Sequence, residues 1–257
     1  MACAEELLRR LDGASVRRVI DRGLACVPEH AHAWPVLSLF VIGGYVNQTE
    51  LGRMRVAGPS AILYRAGAAH QNTIASAGFE QIEIEFDPAW LGTALLPTLP
   101  ISRWIGGRAG GEARTLVRLC NRAVGERQFR AAVRRFVETA SREPARDHPD
   151  WVDTVARRLH ENTASKARDL ARDVGRHPSW LGTAYRRATG EGLMETAARF
   201  RVERAVHLLR ESEQASASIA LAAGFCDQSH MNRTIRRVLG RSPSIVREER
   251  QMFRQTT

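Results

Sequence analysis

Three histidines in the first third of the chain have a spacing that could hold a metal ion. His30 and His32 form an H-x-H pair just before a predicted strand, and His70 follows a later strand. Residues two apart on an extended segment lie on the same side, so a third imidazole from a facing strand could complete a facial metal site. The alternative is that these are polar residues that line or rim a pocket of the sheet.

A second stretch, near the carboxyl end, has the pattern of two helices joined by a tight turn. Ile219 to Ala223 is apolar, Gly224-Phe225 supplies the turn, and Asp227 is positioned to cap the helix that follows. Ala220 and Gly224 stand four apart, which permits the helices to approach closely.

The second of these helices has one polar and one apolar side. Met231 and Ile235 recur at helical spacing on the apolar side. The polar side carries hydrogen-bonding groups and ends in two arginines: Gln228, Ser229, Asn232, Arg233, Arg236 and Arg237. Such a face suits a helix that reads base edges in the DNA major groove, although a solvated helical hairpin would show the same local pattern.

The pattern occurs twice, which favours DNA recognition. Leu170 to Gly175 precedes a helix predicted over 178–189, as Ile219 to Gly224 precedes one over 228–239. Ala171 and Ala220 lie 49 apart, and the arginine pairs that close the two helices lie 50 apart. A helix predicted over 195–210 joins the copies. Two helices held about 34 Å apart could enter successive major grooves on one face of DNA.

The positive charge is concentrated behind the first hundred residues. Residues 1–100 hold 8 arginines against 10 acidic residues, whereas 101–146 hold 11 against 4. Residues 147–257 carry 18 arginines and Lys166 against 14 acidic residues, and the whole chain has a net charge of +10. An acidic front and a basic back predict a polyanionic partner for the back half only.

The sequence predicts an α+β protein. Short strands separated by Gly/Pro turns over 1–100, such as Val36 to Ile42, predict a small antiparallel β-barrel or sandwich. Glu83 and Glu85 are expected on the solvent face of an edge-like strand. Residues 101–146 are predicted to be a helical dimerisation or linker region. Its two helices, over Glu112 to Ala140 and broken near Gly125, cover the barrel or, as the preferred interpretation, contact a second copy. Residues 147–257 are predicted to be all-α, after a linker over 141–149.

Cysteine usage and hydropathy predict a soluble cytoplasmic protein. The four cysteines show neither a paired metal spacing nor a disulfide framework, so free thiols are expected. The longest uncharged apolar run, Trp34 to Val46, is far shorter than the roughly 20 residues of a membrane helix.

Residues 165–247 resemble the DNA-binding domain of the AraC-type (arabinose-regulator) bacterial transcription factors. The motifs that carry the resemblance are Gly224-Phe225-Cys226-Asp227-Gln228-Ser229-His230 and Gly240-Arg241-Ser242-Pro243. Residues 29–87 are similar to the cupin-like sensory domain that many members carry in front. The resemblance implies a homodimeric regulator, such as an activator, that binds double-stranded promoter DNA and responds to a small molecule, with RNA polymerase as a further candidate partner.

The resemblance also assigns roles to individual residues. Base reading falls to Ser179, Gly182 and Thr183 in the first helix pair, and to Gln228, Ser229, Asn232 and Arg233 in the second. Phosphate contacts fall to Arg186, Arg187, Arg236 and Arg237. Neither Gly182 nor Thr183 can make a bidentate base contact, so the second pair is expected to carry most of the readout.

The front domain departs from the cupin motifs at several positions. Val36 and Leu37 stand where a glutamate is expected, Arg65 replaces a proline, and Ile74 replaces an asparagine. His30, His32 and His70 are therefore predicted as effector-binding residues, and no metal or other cofactor is predicted. Two alternatives to the ligand-responsive regulator remain: a metal-dependent cupin enzyme using these histidines, fused to a DNA-binding domain, and a regulator whose front domain only dimerises.

Overall fold

The computed structural model describes residues 3–21, 26–49, 52–57, 60–92, 102–105, 107–142 and 149–254. The chain forms two compact units, Met1–Ala145 and Arg146–Thr257. Most of the predicted linker over 141–149 lies outside the described residues.

The first unit is built on eight described strands. They are β1 (Cys3–Leu11), β2 (Ala14–Asp21), β3 (Cys26–His30), β4 (Val36–Thr49), β5 (Gly52–Ala57), β6 (Ser60–Tyr64), β7 (His70–Phe86) and β8 (Ser102–Ile105). The first three lie ahead of Val36, at which the first strand named from the sequence begins. The predicted strand Val36 to Ile42 is correct, but β4 continues beyond it to Thr49. Gly43 adopts a left-handed backbone conformation (φ 65°), which bends the strand at this point instead of ending it.

The strands pair antiparallel in the order β1-β2-β7-β4-β6-β8, and β3 pairs with β7 while β5 pairs with β4. The expectation that Glu83 and Glu85 lie on an edge-like strand is wrong. Their strand, β7, is central and pairs with both β2 and β4.

On one face of this sheet, apolar side chains pack against one another and form a core. Its side chains are each at most 6% exposed: Val19, Val36, Phe40, Tyr45, Ile62, Tyr64 and Phe79. Directly opposed positions in antiparallel strands share a face, so Ser38 and Glu83 lie on the same face as this cluster. Leu37 and Ile84 alternate to the other face, and both are fully buried.

Helices cover the first unit with the apolar faces that the sequence predicted. They are α1 (Pro88–Leu91), α2 (Gly107–Cys120) and α3 (Glu126–Arg142). Phe129, Phe136 and Val137 of α3 are at most 1% exposed, and the Trp90 ring lies between the rings of Phe86 and Phe129. The apolar face of α3 is therefore used within the unit, which is the covering role of the two alternatives considered from the sequence.

The second unit is all helical over its described residues. Its helices are α4 (Asp150–Glu161), α5 (Ala167–Asp173), α6 (Pro178–Thr189), α7 (Leu193–Glu211), α8 (Ser216–Ala222), α9 (Gln228–Leu239) and α10 (Pro243–Arg254). The bounds of α6 and α9 are those predicted, and α7 extends slightly beyond the predicted 195–210. The α+β class, with a β unit in front and an all-α unit behind, is confirmed.

Among the described residues no helix is both long and apolar enough to cross a membrane. Cys26, Cys120 and Cys226 are free thiols.

Candidate functional site

Helix α9 presents the polar face predicted for it. The Asp227 carboxylate accepts the backbone N–H of His230 at 2.6 Å, which caps the helix and holds the pKa of Asp227 below its usual value. Met231 and Ile235 are fully buried. The exposed residues are Gln228, Ser229, Arg233, Arg236 and Arg237. Capping and burial together fix which side of the helix faces outward.

The turn before α9 depends on two small residues, as predicted. Gly224 has φ 87°, and Ala220, fully buried, accepts the N–H of Phe225 at 2.9 Å through its carbonyl. A Cβ at Gly224 would lie 3.3 Å from Oγ1 of Thr163, so glycine also relieves a close approach.

Helix α6 repeats this arrangement with a weaker polar face. His177 caps it, since its Nδ1 accepts the Ser179 N–H at 3.4 Å, and Leu181 and Tyr185 are buried. Its exposed polar positions are Ser179, Thr183, Arg186 and Arg187, and Gly182 is half-buried. The helix therefore offers shorter side chains to a groove than α9 does.

Two predicted contact residues have partners inside the protein. Arg186 forms an ion pair with Glu195 at 3.1 Å, so a phosphate contact would compete with that carboxylate. Asn232 is half-buried, and its Oδ1 is buried without a hydrogen-bond partner among the described residues. Within the predicted reading set of α9, Gln228, Ser229 and Arg233 are the outward-facing side chains.

Trp180 is a surface residue of α6 that sequence reasoning missed. Its side chain is 43% exposed, its ring packs at a tilt of 57° against that of Trp151 with the centroids 5.2 Å apart, and it lies under the Arg176 guanidinium at 5.2 Å. Its position in the sequence could have indicated a surface role, because it lies beside Ser179 and one turn before Thr183. It adds an apolar, cation-flanked surface next to the predicted reading face.

Two buried ion pairs hold the ends of the helix pairs in place. Glu191, one residue after the glycine that ends α6, accepts hydrogen bonds from Thr196 at 2.8 Å and Arg199 at 3.3 Å. Arg241, one residue after the glycine that ends α9, pairs with Glu249 at 2.6 Å. Both pairs join residues eight apart at equivalent places, but acid and base have exchanged positions.

In the first unit the structure brings the three predicted histidines together. His30 and His70 are register partners on β3 and β7, and their ring centroids lie 4.2 Å apart. The His32 ring lies 5.3 Å from that of His30 and 5.2 Å from that of His70. One potential ligand atom from each residue lies within 4.8 Å of the other two.

Burial favours the neutral form of the His32 and His70 imidazoles. Burial lowers the pKa of His70 to about 4, and burial together with His30 lowers the pKa of His32. Nδ1 of His30 lies 2.9 Å from the Pro28 carbonyl, and Nδ1 of His70 lies 3.1 Å from that of Ala68. Because a carbonyl only accepts, these Nδ1 atoms carry protons, and Nε2 carries the lone pair when the ring is neutral.

Glu83 does not lie on a solvent face as expected. It is partly buried on the core-bearing face of the sheet, where Gln81 donates to its Oε1 at 2.7 Å. Burial, with a smaller effect from Glu5, raises the pKa of Glu83 to about 7. The other ionisable groups facing it are Arg17, Glu85, Tyr45 and Tyr64.

This carboxyl gives the first unit a pH-dependent stability. Between about pH 4.5 and pH 7 the folded state keeps a proton that the unfolded state has released, so stability falls as pH rises through that window and is level above it. Glu83→Gln should therefore raise the free energy of unfolding at pH 8 by at most about 3 kcal/mol and change it little at pH 4. Denaturant titrations across pH measure this difference. Glu85→Gln is the control and should be destabilising at pH 8, because Glu85 pairs with Arg17 at 2.5 Å; a gain equal to that of Glu83→Gln would contradict the assignment.

Residues within the second unit match a known domain family. Residues 170–249 match a family described as a helix-turn-helix domain, and the match covers both predicted motifs, so their prediction is confirmed. A putative AraC-like transcription regulator of Streptomyces lividans is 32% identical over 99 residues, 38% of this chain and 33% of that protein. The Msm operon regulatory protein of Streptococcus mutans is 27% identical over 101 residues, 38% of this chain and 36% of that protein. The chain thus spans about a third of the length of these relatives.

Two solved structures show weaker likeness. ToxT from Vibrio cholerae is 10% identical with a TM-score of 0.39, and the match covers 94% of this chain and 99% of that one. KdgF from Halomonas sp. is 13% identical with a TM-score of 0.31, covering 32% of this chain and 76% of that one.

Proposed function

We propose that the protein is a sequence-specific DNA-binding transcription regulator, because residues 170–249 match a helix-turn-helix domain family and the chain resembles part of a putative AraC-like transcription regulator. The observation that carries the proposal is the duplication itself. Two equivalent helix pairs, α5–α6 and α8–α9, each bury an apolar face and expose a polar one that ends in two arginines.

The long helix α7 supports simultaneous use of both pairs. It lies between them in the chain and contacts α6, α8, α9 and α10, and its buried side chains include Val202, Ala205, Val206 and Leu209, each at most 2% exposed. A helix of 19 residues packed in this way is a rigid spacer. We expect α6 and α9 to enter successive major grooves, about one helical turn of DNA apart.

The two reading helices should contribute unequally. Arg233 and Gln228 on α9 are exposed and long enough for bidentate contacts with guanine and adenine. Gly182 and Thr183 on α6 are not, so α6 should contribute mainly through Arg187 and backbone groups that contact phosphates. Trp180 would add apolar contact to sugar or to thymine methyl groups beside them.

Selection of binding sites from random double-stranded DNA tests the proposal. The full-length protein should enrich one motif with two conserved blocks about 10 base pairs apart, and the block bound by α9 should hold more information. Enrichment of no motif at physiological salt, with binding that depends on charge alone, would reject the proposed function.

Arg233→Ala gives the sharpest residue-level test of the unequal readout. We expect a loss of about 1–3 kcal/mol in binding to the selected site and relaxed preference at one or two base pairs. Arg187→Ala is the phosphate-contact control and should weaken binding to all sequences similarly. Footprinting at fixed salt measures both. A loss from Thr183→Ala as large as that from Arg233→Ala would overturn the ranking of the two helices.

We assign the first unit the role of sensing a ligand that changes DNA binding, with the histidine cluster as the binding site. The same cluster favours a second candidate, a metal-dependent enzyme fused to the DNA-binding domain. An enzyme needs substrate space beside its metal, whereas the sheet face next to the histidines is filled by Tyr45, Tyr64, Phe40 and Phe79 packed against one another. This packing argues against the enzyme. Homodimer formation stays a prediction of the sequence.

A further inference from the structure

We propose that the exposed face of α3, in the first unit, binds the phosphate backbone of DNA outside the base pairs that α6 and α9 read. The identity of the polyanion rests on the proposed function, and the inference adds a contact surface that the two helix pairs do not supply. Five exposed side chains form this arginine face of α3: Arg127, Arg130, Arg134, Arg135 and Arg142.

The sequence of α3 places these arginines on one side of the helix. Arg127, Arg130 and Arg134 follow the i, i+3, i+7 spacing, and Arg135 and Arg142, seven apart, lie beside them. At 1.5 Å per residue the arginine face is about 22 Å long, which is the length of about six base pairs of DNA. The opposite side of the helix is buried within the unit by Phe129, Val133, Phe136, Val137 and Ala140.

An excess of positive charge separates α3 from most of the other helices. It carries five arginines against Glu126 and Glu138, a net charge of +3, and α9 has the same net charge from three arginines and no acidic residue. By the same count α2 and α6 have a net charge of +2. The other described helices lie between −1 and +1. Among the described helices, the excess is therefore confined to the two proposed reading helices and to α2 and α3.

Three of the five arginines have no carboxylate that would compete with a phosphate. Arg130 pairs with Glu126 at 2.5 Å, and Arg134 donates to the Gly92 carbonyl. A guanidinium that lacks a carboxylate partner breaks no ion pair when it binds a phosphate oxygen. The three arginines that form no ion pair with any residue that the structure describes are Arg127, Arg135 and Arg142.

The composition of the arginine face fits nucleic acid better than a protein partner. Along α3, which the structure describes throughout, the only exposed apolar residue is Ala131. Protein interfaces are anchored by large apolar and aromatic side chains, whereas protein–DNA interfaces are polar and strongly positive. Two copies of the chain packed through this face would bring ten arginines together, and repulsion between like charges disfavours that contact.

Covalent linkage to the second unit makes weak phosphate contacts effective. Contacts of this kind alone bind DNA with dissociation constants of about 10⁻⁴–10⁻⁶ M at physiological salt. Once α6 and α9 hold a site, the adjoining DNA is available to the first unit at an effective concentration that can reach about the millimolar range. The arginine face then adds affinity and lengthens the protected DNA, and it leaves the preferred sequence unchanged.

Binding of the full-length protein to two duplexes tests the inference. Both contain the selected site, but one ends at its outer conserved bases and the other continues for about two helical turns on each side. Wild type should bind the longer duplex more tightly and with a steeper salt dependence. In the glutamine triple Arg127→Gln/Arg135→Gln/Arg142→Gln, the slope of log K against log[salt] on the longer duplex should become shallower by about 2.7. Wild type should therefore lose about 40-fold more affinity than this variant between about 50 and 200 mM salt.

Two control variants separate the arginine face from net charge and from folding. Arg10→Gln/Arg53→Gln/Arg65→Gln removes three exposed arginines from the strand-bearing part of the first unit, and it should keep the wild-type slope. Lysine at the three substituted α3 positions should also keep most of the slope, because a phosphate contact that carries no sequence information needs chiefly the charge. Equal effects of the two glutamine triples would overturn the inference.

An unchanged slope and duplex-length preference in the α3 glutamine triple would reject the arginine face as a DNA contact. A change in its sedimentation coefficient without a change in salt dependence would likewise reject it, and would assign the face to contact between copies. If selection enriches no motif, the proposed function fails. The arginine face is then still decided on a duplex of arbitrary sequence, on which the α3 glutamine triple should again show a shallower slope than wild type.

Discussion

Replacing Glu249 with alanine should lower the free energy of unfolding of the C-terminal unit by about 3–5 kcal/mol. Glu249 is 6% exposed and pairs with two buried arginines, Arg210 at 2.8 Å and Arg241 at 2.6 Å. The substitution removes the carboxylate that both guanidinium groups share in a poorly hydrated site, and loss of a buried ionic partner costs more than the modest net value of the intact pair. The loss is a large part of the roughly 5–15 kcal/mol that stabilises a typical domain.

Hydrogen exchange resolved by segment is the suitable measurement, because a chain of two units need not unfold in one step. Amides of α7 and α10 should exchange faster in Glu249→Ala, while those of the first unit keep their rates. Glu248→Ala is the matched control, since Glu248 is exposed and one residue away, and it should change stability by no more than about 0.5 kcal/mol. Equal effects of the two substitutions would show that the ion pairs do not stabilise the unit.

Gly43→Ala should destabilise the first unit by about 2–5 kcal/mol. A Cβ at this position would lie 2.2 Å from the Gly78 carbonyl oxygen and 2.9 Å from Cα of Phe79. Both are backbone atoms of β7, so relief requires moving a central strand. The left-handed φ of 65° adds about 1–2 kcal/mol of strain for any residue with a Cβ.

Gly67→Ala separates backbone strain from the close approach of the strands. Gly67 has a similar φ of 74°, but a Cβ there would meet no atom of the described residues within 4 Å beyond its chain neighbours, so only the strain should count. Thermal unfolding followed by exchange of β4 and β7 amides compares the two variants. If Gly67→Ala were as destabilising as Gly43→Ala, the contact between β4 and β7 would not be the reason that Gly43 is a glycine.

The second unit could be predicted in detail because its signals are local. Asp227 and Pro178 mark helix starts, glycines mark the turns and helix ends, and apolar residues recur at helical spacing. Each of these acts within a few residues of its own position. The bounds of α6 and α9 therefore follow from sequence, as does the outward direction of Arg233.

The first unit was predicted less well because strand pairing is not local. The many charged side chains of β1 and β2 are typical of an exposed segment, and these strands cannot be identified until their pairing with each other and with β7 is known. The alternation in β7 correctly predicts that Glu83 and Ile84 point to opposite faces of the sheet. Which of the two faces is exposed to water depends on what packs against the sheet. The convergence of His30 and His70 likewise needed the β3–β7 register.

The interaction partners of surface residues could not be predicted from the sequence either. The contact of Arg186 with Glu195 depends on how α7 leaves the preceding turn, and the inward position of the Asn232 amide depends on packing around α9. Trp180 is exposed even though tryptophan is usually mostly buried, because Trp151 covers only part of its ring.

The acidic and basic residues stand in opposite order in the ion pairs of the two repeats. This reversal affects whether one repeat can dock on the equivalent part of the other. Residues 191 and 241 are equivalent, as are 199 and 249, so each helix end could in principle dock on the wrong partner during folding or between two chains. A crossed arrangement would place Glu191 beside Glu249, or Arg241 beside Arg199, with like charges buried together. Because such contacts cost several kcal/mol, the reversal of sign makes domain swapping between the repeats unfavourable while leaving each correct pairing intact.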